Sequence, residues 1–502
     1  MTSKLKGFAK DSLFYGIGDL LGKLVNLILV PILSRIFLPS GYGVIDLLTV
    51  SYVFLSMLLN LNLPTGFQKF YYIYKDGDRK LLLTSMVLFL SFFSAIFTFL
   101  LIIFSRDISF FVFKRTDYCT AIILCAIRLP IDSLFLNLMI LLRLRRKAVS
   151  FCVYYIVRMI ILPLTTYICV VSFDMGLTGV FLSPLITSAV LALIAFLHQK
   201  NEFLLKIDFS VIRSLIKFSL PGHPAIISMS IMSLLPRYLL AYFSPLAVVG
   251  LFGMATRIGN VVEMARAAFN RAWNPFAFEN AEAADVVFLY EKVFKSFIAA
   301  LILLSLLLSL FAKEALYILT PPEYHTASSM VPGLCIYYGL GALPIIFSTA
   351  LYSVNKVVHT SLMEIVQLIS FSIAGLIFIP HYNAIGLILA LDLSSLICCF
   401  FYGIIVKRHF AFRFSTFRIL ALFTFAVGTY FAFVLTMSNG VFTLTTLICK
   451  LMAVIFNMTI AVLIIFTKEE KEQIKSIVLS RINRFGSSNR ILLGFFNKIA
   501  GS

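Results

Sequence analysis

Three cations sit about ten residues inside long apolar runs: Lys23, Arg128 and Arg257. Ten residues of helix measure about 15 Å, half the hydrocarbon core of a bilayer. A charge at that depth costs about 2.5–3.5 kcal/mol on insertion scales, so it faces a wet cavity or a partner charge. Asp19 stands four residues before Lys23 and Asp132 four after Arg128, each on its cation's helix face. Either pair also reads as a self-neutralising structural bridge. Arg257 has no acid at that spacing; Met254, Asn260 and Val261 are its one-turn neighbours and Glu263 is six residues on. It is the strongest single candidate for holding an anionic group, with Asn260 as a polar companion. Lysine offers such a group a point charge, and arginine a planar fork that fits phosphate oxygens.

Arg158, Arg237, Arg266, Lys295 and Lys450 lie within about two turns of a span end, where a long side chain snorkels to water. Arg237 and Arg266 join the candidate binding set. The acids Asp19, Asp46, Asp132 and Glu263 are candidates for balancing empty cations or carrying a coupling proton. No catalytic or metal-ligand arrangement stands out, and no cofactor is expected.

The stretch GIGDLLGKL, residues 16–24, imitates a phosphate loop, but its spacing is wrong. That loop needs glycine, four residues, then Gly-Lys-Ser/Thr. The first glycine would fall on Ile17, and Leu24 stands where the hydroxyl belongs. What remains is Gly18-x-x-x-Gly22, a pattern that lets membrane helices approach closely.

The 502 residues are 60% hydrophobic and 13% charged, with a mean hydropathy of +0.99. No soluble core needs that much apolar surface, whereas a polytopic membrane protein does. Apolar runs predict an all-α chain of fourteen spans: 13–34, 44–64, 82–104, 119–142, 151–173, 178–197, 218–240, 247–270, 293–313, 329–352, 361–380, 384–405, 419–437 and 445–466. The first is too long, and lacks the small-residue site, for a cleavable signal. With the N-terminus in the cytosol, most of the 42 lysines and arginines fall in cytosolic segments. Only Arg35, Arg106, Lys114, Arg115 and Lys313 lie outside, which predicts both termini inside. The net charge of +19 then reflects topology and attraction to anionic lipid, with no nucleic-acid partner needed. The eight cysteines all fall in predicted spans and read as small packing residues. Prolines at 163, 184, 221, 224, 236 and 344 fall in or at the ends of spans. Pro221, Gly222 and Pro224 are expected to break or bend the seventh around His223, as a fixed kink or a hinge. After residue 467, Ile474, Val478, Ile482 and Phe485 form a stripe opposite Lys471, Lys475, Arg481 and Arg484. That suits a helix on the cytosolic membrane surface or a solvated tail.

The chain repeats itself faintly. The first span ends at Arg35 and is followed by PSGYGVIDLL; the seventh ends near Arg237 and is followed by SPLAVVGLFGMATRI. Six spans separate the copies, so they share one orientation, as in a parallel repeat. Here the sequence resembles a family. LPSGYGVIDLL and VGLFGMATRI resemble the helix 1–2 and helix 7–8 turns of polysaccharide flippases in the multidrug/oligosaccharidyl-lipid/polysaccharide exporter superfamily. RAWNPFAFEN and PPEYHTASSMVP resemble segments after their eighth helix and before their tenth. The resemblance implies two six-helix bundles around a central cavity: residues 1–217 and 218–418, then two extra helices over 419–466 and the tail 467–502. It implies an inner-membrane transporter of undecaprenyl-diphosphate-linked oligosaccharide, working beside a polysaccharide polymerase and chain-length machinery. A drug or metabolite antiporter of the same superfamily is the alternative, but it would want an acidic or aromatic cavity. A membrane glycan polymerase or ligase would want a carboxylate or histidine site on a large outer loop. The segments near 105–118 and 314–328 are short.

Overall fold

The computed structural model describes residues 28–204, 206–279, 286–353, 357–409, 416–436 and 443–465. Asp19, Lys23, the Gly18–Gly22 pattern and the stripe 474–485 lie outside these residues. In chain order the helices are α1 (28–36), α2 (Pro39–Leu59), α3 (Leu63–Ile73), α4 (Asp76–Ile103), α5 (Ser105–Phe113), α6 (Cys119–Leu144), α7 (Ala148–Tyr167), α8 (Gly176–Gln199), α9 (Phe209–Ser219) and α10 (His223–Phe243). Then follow α11 (Leu246–Glu279), α12 (Val286–Leu310), α13 (Ala312–Leu319), α14 (Val331–Leu340), α15 (Ala342–Ser353), α16 (Val357–His409), α17 (Thr416–Thr436) and α18 (Leu444–Ile465). No strand occurs among the described residues.

Twelve stretches among the described residues are long and apolar enough to cross a membrane. Their outward faces carry Phe92, Phe99, Ile160, Leu193, Leu451 and Met452, all exposed. Apolar surface of that extent suits lipid rather than water. The sequence reading has fourteen spans. Most of the first precedes residue 28, and the eleventh and twelfth form one helical element, the 53-residue α16. Straight, α16 would run about 80 Å, far beyond the hydrocarbon core of about 30 Å. Instead Asn383 leaves helical geometry at φ 50°, ψ −125°. A Cβ built on Gly386 would lie 2.2 Å from the Phe378 carbonyl oxygen. Eight residues of straight helix would separate those positions by about 12 Å. The chain therefore reverses here, and glycine is what lets the backbones touch.

Contacts divide the chain into two compact units. One holds Met1–Arg257, Leu319–Ala327 and Ser361–Ile397; the other holds Ile258–Ile318, Ser328–Thr360 and Cys398–Ser502. In the first unit α9 is amphipathic. It starts at Asp208, whose Oδ1 accepts from the Ser210 hydroxyl and amide at 2.7 and 2.8 Å. Those bonds hold the Asp208 carboxyl below its usual range. The helix buries Val211 and Leu215 against Leu63 and Phe67 of α3 and Leu82 and Met86 of α4. It exposes Phe209, Arg213, Lys217 and Phe218. A three-residue turn, Leu220–Gly222, separates α9 from α10. Pro221 within it and Pro224 just after it have no amide to donate to a continuous helix.

The two turns that suggested a repeat touch each other reciprocally within the first unit. A Cβ on Gly43 would lie 2.1 Å from the Leu246 carbonyl oxygen, and one on Gly250 would lie 1.9 Å from that of Pro39. Each glycine meets the residue four positions before the other, as a pseudo-twofold relation requires. Tyr324 closes over this end: its hydroxyl donates to the Phe37 carbonyl at 2.5 Å, and its ring meets that of Tyr42 edge-on.

Candidate functional site

One turn beyond Gly43 along α2 comes Asp46, buried to 7% exposure. Its carboxylate accepts from Arg237 Nε on α10 at 2.7 Å. Arg237 Nη1 also donates to the Ser233 carbonyl at 2.9 Å, and the guanidinium lies over the Phe252 ring. The repeat equivalent of Asp46 is Gly253 on α11, where a Cβ would press on the carboxylate carbon at 2.8 Å. A glycine in one copy thus makes room for the acid in the other. One turn on, Arg257 lies over the Tyr42 ring, 5.3 Å from its centroid.

Further along α2 a second group collects. Arg128 and Asp132 form the expected i, i+4 pair on α6, at 2.8 Å. Tyr52 of α2 donates its hydroxyl to Asp132 Oδ2, and Arg128 stacks over the Tyr52 ring at 4.3 Å. Arg158 of α7 approaches Asp132 Oδ1 at 3.7 Å and lies over the Phe135 ring. The sequence placed Arg158 seven residues into its span. The helix starts earlier, at Ala148, so Arg158 is ten residues in, about 15 Å from the end. Three helices therefore converge at mid-depth. Among the described residues two guanidiniums share one carboxylate, which leaves the group with one excess positive charge.

The second unit holds the other candidates. Arg266 pairs with Glu263 one turn back at 2.5 Å and donates to the Gly341 carbonyl at 2.8 Å. Asn260 is exposed. Lys450 of α18, which the sequence read as snorkelling, is 4% exposed and pairs with Glu314 of α13 at 2.5 Å.

A family model for polysaccharide biosynthesis proteins matches residues 8–281, more than half of the chain. The chain belongs to that family. No curated protein matches at a significant level. Among solved structures, this polysaccharide biosynthesis protein is similar to the lipid II flippase MurJ in an inward closed conformation. The TM-score is 0.73 and the identity 11%, covering 90% of this chain and 99% of that one. An inward-facing multidrug resistance MATE transporter of the MOP superfamily gives 0.58 at 13% identity, covering 77% and 94%. The Vibrio cholerae MATE transporter VcmN in its bent form gives 0.55 at 14%, covering 81% and 97%. Identities this low establish a shared membrane fold.

Of the sequence candidates, the structure joins Arg237 to Asp46, Arg128 to Asp132 and Arg266 to Glu263. It keeps Asn260, Glu263 and Arg266 in the unit that Arg257 does not belong to. Sequence reasoning missed Tyr52, Arg158, Glu314 and Lys450 as partners. The one available signal was an arginine or lysine inside an apolar run, and that says nothing about what it meets.

Proposed function

We propose that this chain is a flippase. It moves undecaprenyl-diphosphate-linked oligosaccharide units across the bacterial inner membrane, by alternating access, for a surface polysaccharide such as O-antigen. Family membership supports the polysaccharide pathway. The observation that carries the substrate class is the excess cation at Asp132, halfway along its helix. An anionic head crossing the low-dielectric middle of a membrane needs fixed positive charge there. A cation exporter would need the reverse. The reciprocal contact of Gly43 and Gly250 supports a gate at the outer ends of α2 and α11. A transporter of this kind performs no covalent chemistry. It hands its cargo to a polymerase and chain-length machinery on the far side.

Two experiments test this. Deletion of the gene is expected to remove surface polysaccharide and leave lipid-linked repeat units in the cytosolic leaflet. Purified protein in vesicles is expected to move a labelled diphosphate-linked oligosaccharide lipid between leaflets. Unchanged polysaccharide with no movement in vesicles would end the proposal. For the orientation, reporter fusions at Lys10, Arg145 and Lys475 are all expected to read cytosol. A periplasmic signal at Lys475 would rule out an even number of spans.

A further inference from the structure

Arg128 and Arg158 hold Asp132 between them much as two arginines hold a phosphate. Among the described residues, Asp132 is the one carboxylate in ion-pair reach of either guanidinium. Among the described residues, Arg128 Nε is buried and makes no hydrogen bond. The two arginine side chains are 17% and 18% exposed, against 6% for the aspartate. The arginines thus keep an open face, while the carboxylate sits behind them, held by Tyr52. A positive charge left over at mid-membrane favours a second anion strongly, because water cannot screen it.

We infer that this group is a diphosphate-binding site in which Asp132 is a resident substitute for the ligand. In the empty protein the carboxylate occupies part of the two guanidinium forks. An arriving diphosphate takes the exposed edges of Arg128 and Arg158, while Asp132 stays back on Tyr52. This rests on the flippase reading for the ligand's identity; the arrangement of charges supplies only its anionic, multi-oxygen class. The substitute has a purpose. Two bare arginines would bind a diphosphate too tightly to release it, whereas a competing carboxylate lowers affinity and speeds departure.

The test is binding of inorganic pyrophosphate to the purified full chain in detergent, followed by the rise in thermal midpoint. Wild type is expected to show a saturable rise. Arg128→Gln and Arg158→Gln should each weaken half-saturation at least tenfold, and Arg158→Lys should restore part of it. Asp132→Asn should tighten it at least tenfold, because the competitor is gone. If that variant does not fold, Tyr52→Phe frees the same carboxylate to seat more fully between the arginines, without changing charge, and is expected to weaken half-saturation severalfold. Unchanged affinity in both variants, or equal binding by wild type and the double arginine variant, would overturn the proposal. Farnesyl diphosphate should compete, as a lipid-borne head. Competition by phosphatidylglycerol alone would reveal a general anionic-lipid site and overturn the diphosphate assignment. The two readings fail separately. Arginine variants that bind no pyrophosphate yet sustain full polysaccharide sink the site and leave the flippase. Pyrophosphate binding in a chain whose deletion changes no polysaccharide does the opposite.

Discussion

Cells whose only copy carries Gly250→Ala are expected to make little or no surface polysaccharide, although the protein inserts and accumulates normally. The single added carbon would sit 1.9 Å from the Pro39 carbonyl oxygen. That obstacle is backbone, so no side chain can swing aside. The ends of α2 and α11 must move apart by an ångström or more. Forcing extra volume into a packed contact costs about 1–3 kcal/mol. At the upper end that shifts a two-state equilibrium by about 150-fold. On the flippase reading, alternation between closure at either end cannot absorb such a bias. Gly43→Ala meets Leu246 in the same way and should behave alike. The direct measurement uses Val249→Cys in a cysteine-free background, since Val249 is fully buried beside the contact. An impermeant maleimide added outside should leave it unlabelled with Gly43 intact and label it in Gly43→Ala. Protection in both, with normal transport, would mean that this contact is not a gate.

The largest stability effect is expected at Lys450. Its ammonium is buried against Glu314 and flanked by the rings of Phe311 and Phe433. Lys450→Met alone strands a carboxylate whose second oxygen already lacks a hydrogen-bond partner. Breaking a buried pair from one side costs about 3–5 kcal/mol. Replacing both partners, with Lys450→Met and Glu314→Leu together, is expected to be neutral or stabilising, because neither desolvated charge remains. Thermal unfolding of the three proteins in detergent separates these outcomes. If the single and double variants melt together well below wild type, the charges matter individually and the pair does not. The pair also gives α17 and α18 a physical role, since α18 brings Lys450 to α13 while Asn457 ties it to Thr429 of α17 at 3.0 Å.

Local regularities in the sequence carried much of this. Apolar runs marked the spans, because each must satisfy its own backbone in lipid. Spacing of four put Arg128 beside Asp132, because the helix itself makes that pair. The two glycine turns were visible as a pattern, although their mutual contact was not. Pairs such as Asp46 with Arg237, Asp132 with Arg158 and Glu314 with Lys450 join different helices. Their geometry is set by how those helices pack, and no periodicity in one segment encodes its neighbour. Depth was also misjudged where a helix outran its apolar run. Arg158 moved to mid-membrane because α7 begins among the residues after Lys147.

The reversal at Asn383 bears on how the chain enters the membrane. From residue 357 to 406 there is no lysine or arginine, so nothing near the turn resists passage through the bilayer. The cations stand at the rims, Lys356 before the segment and Lys407 and Arg408 after it. On the orientation expected from the basic residues, both rims stay on the side of synthesis. The two arms of α16 would then enter together as a loop, with the asparagine turn leading.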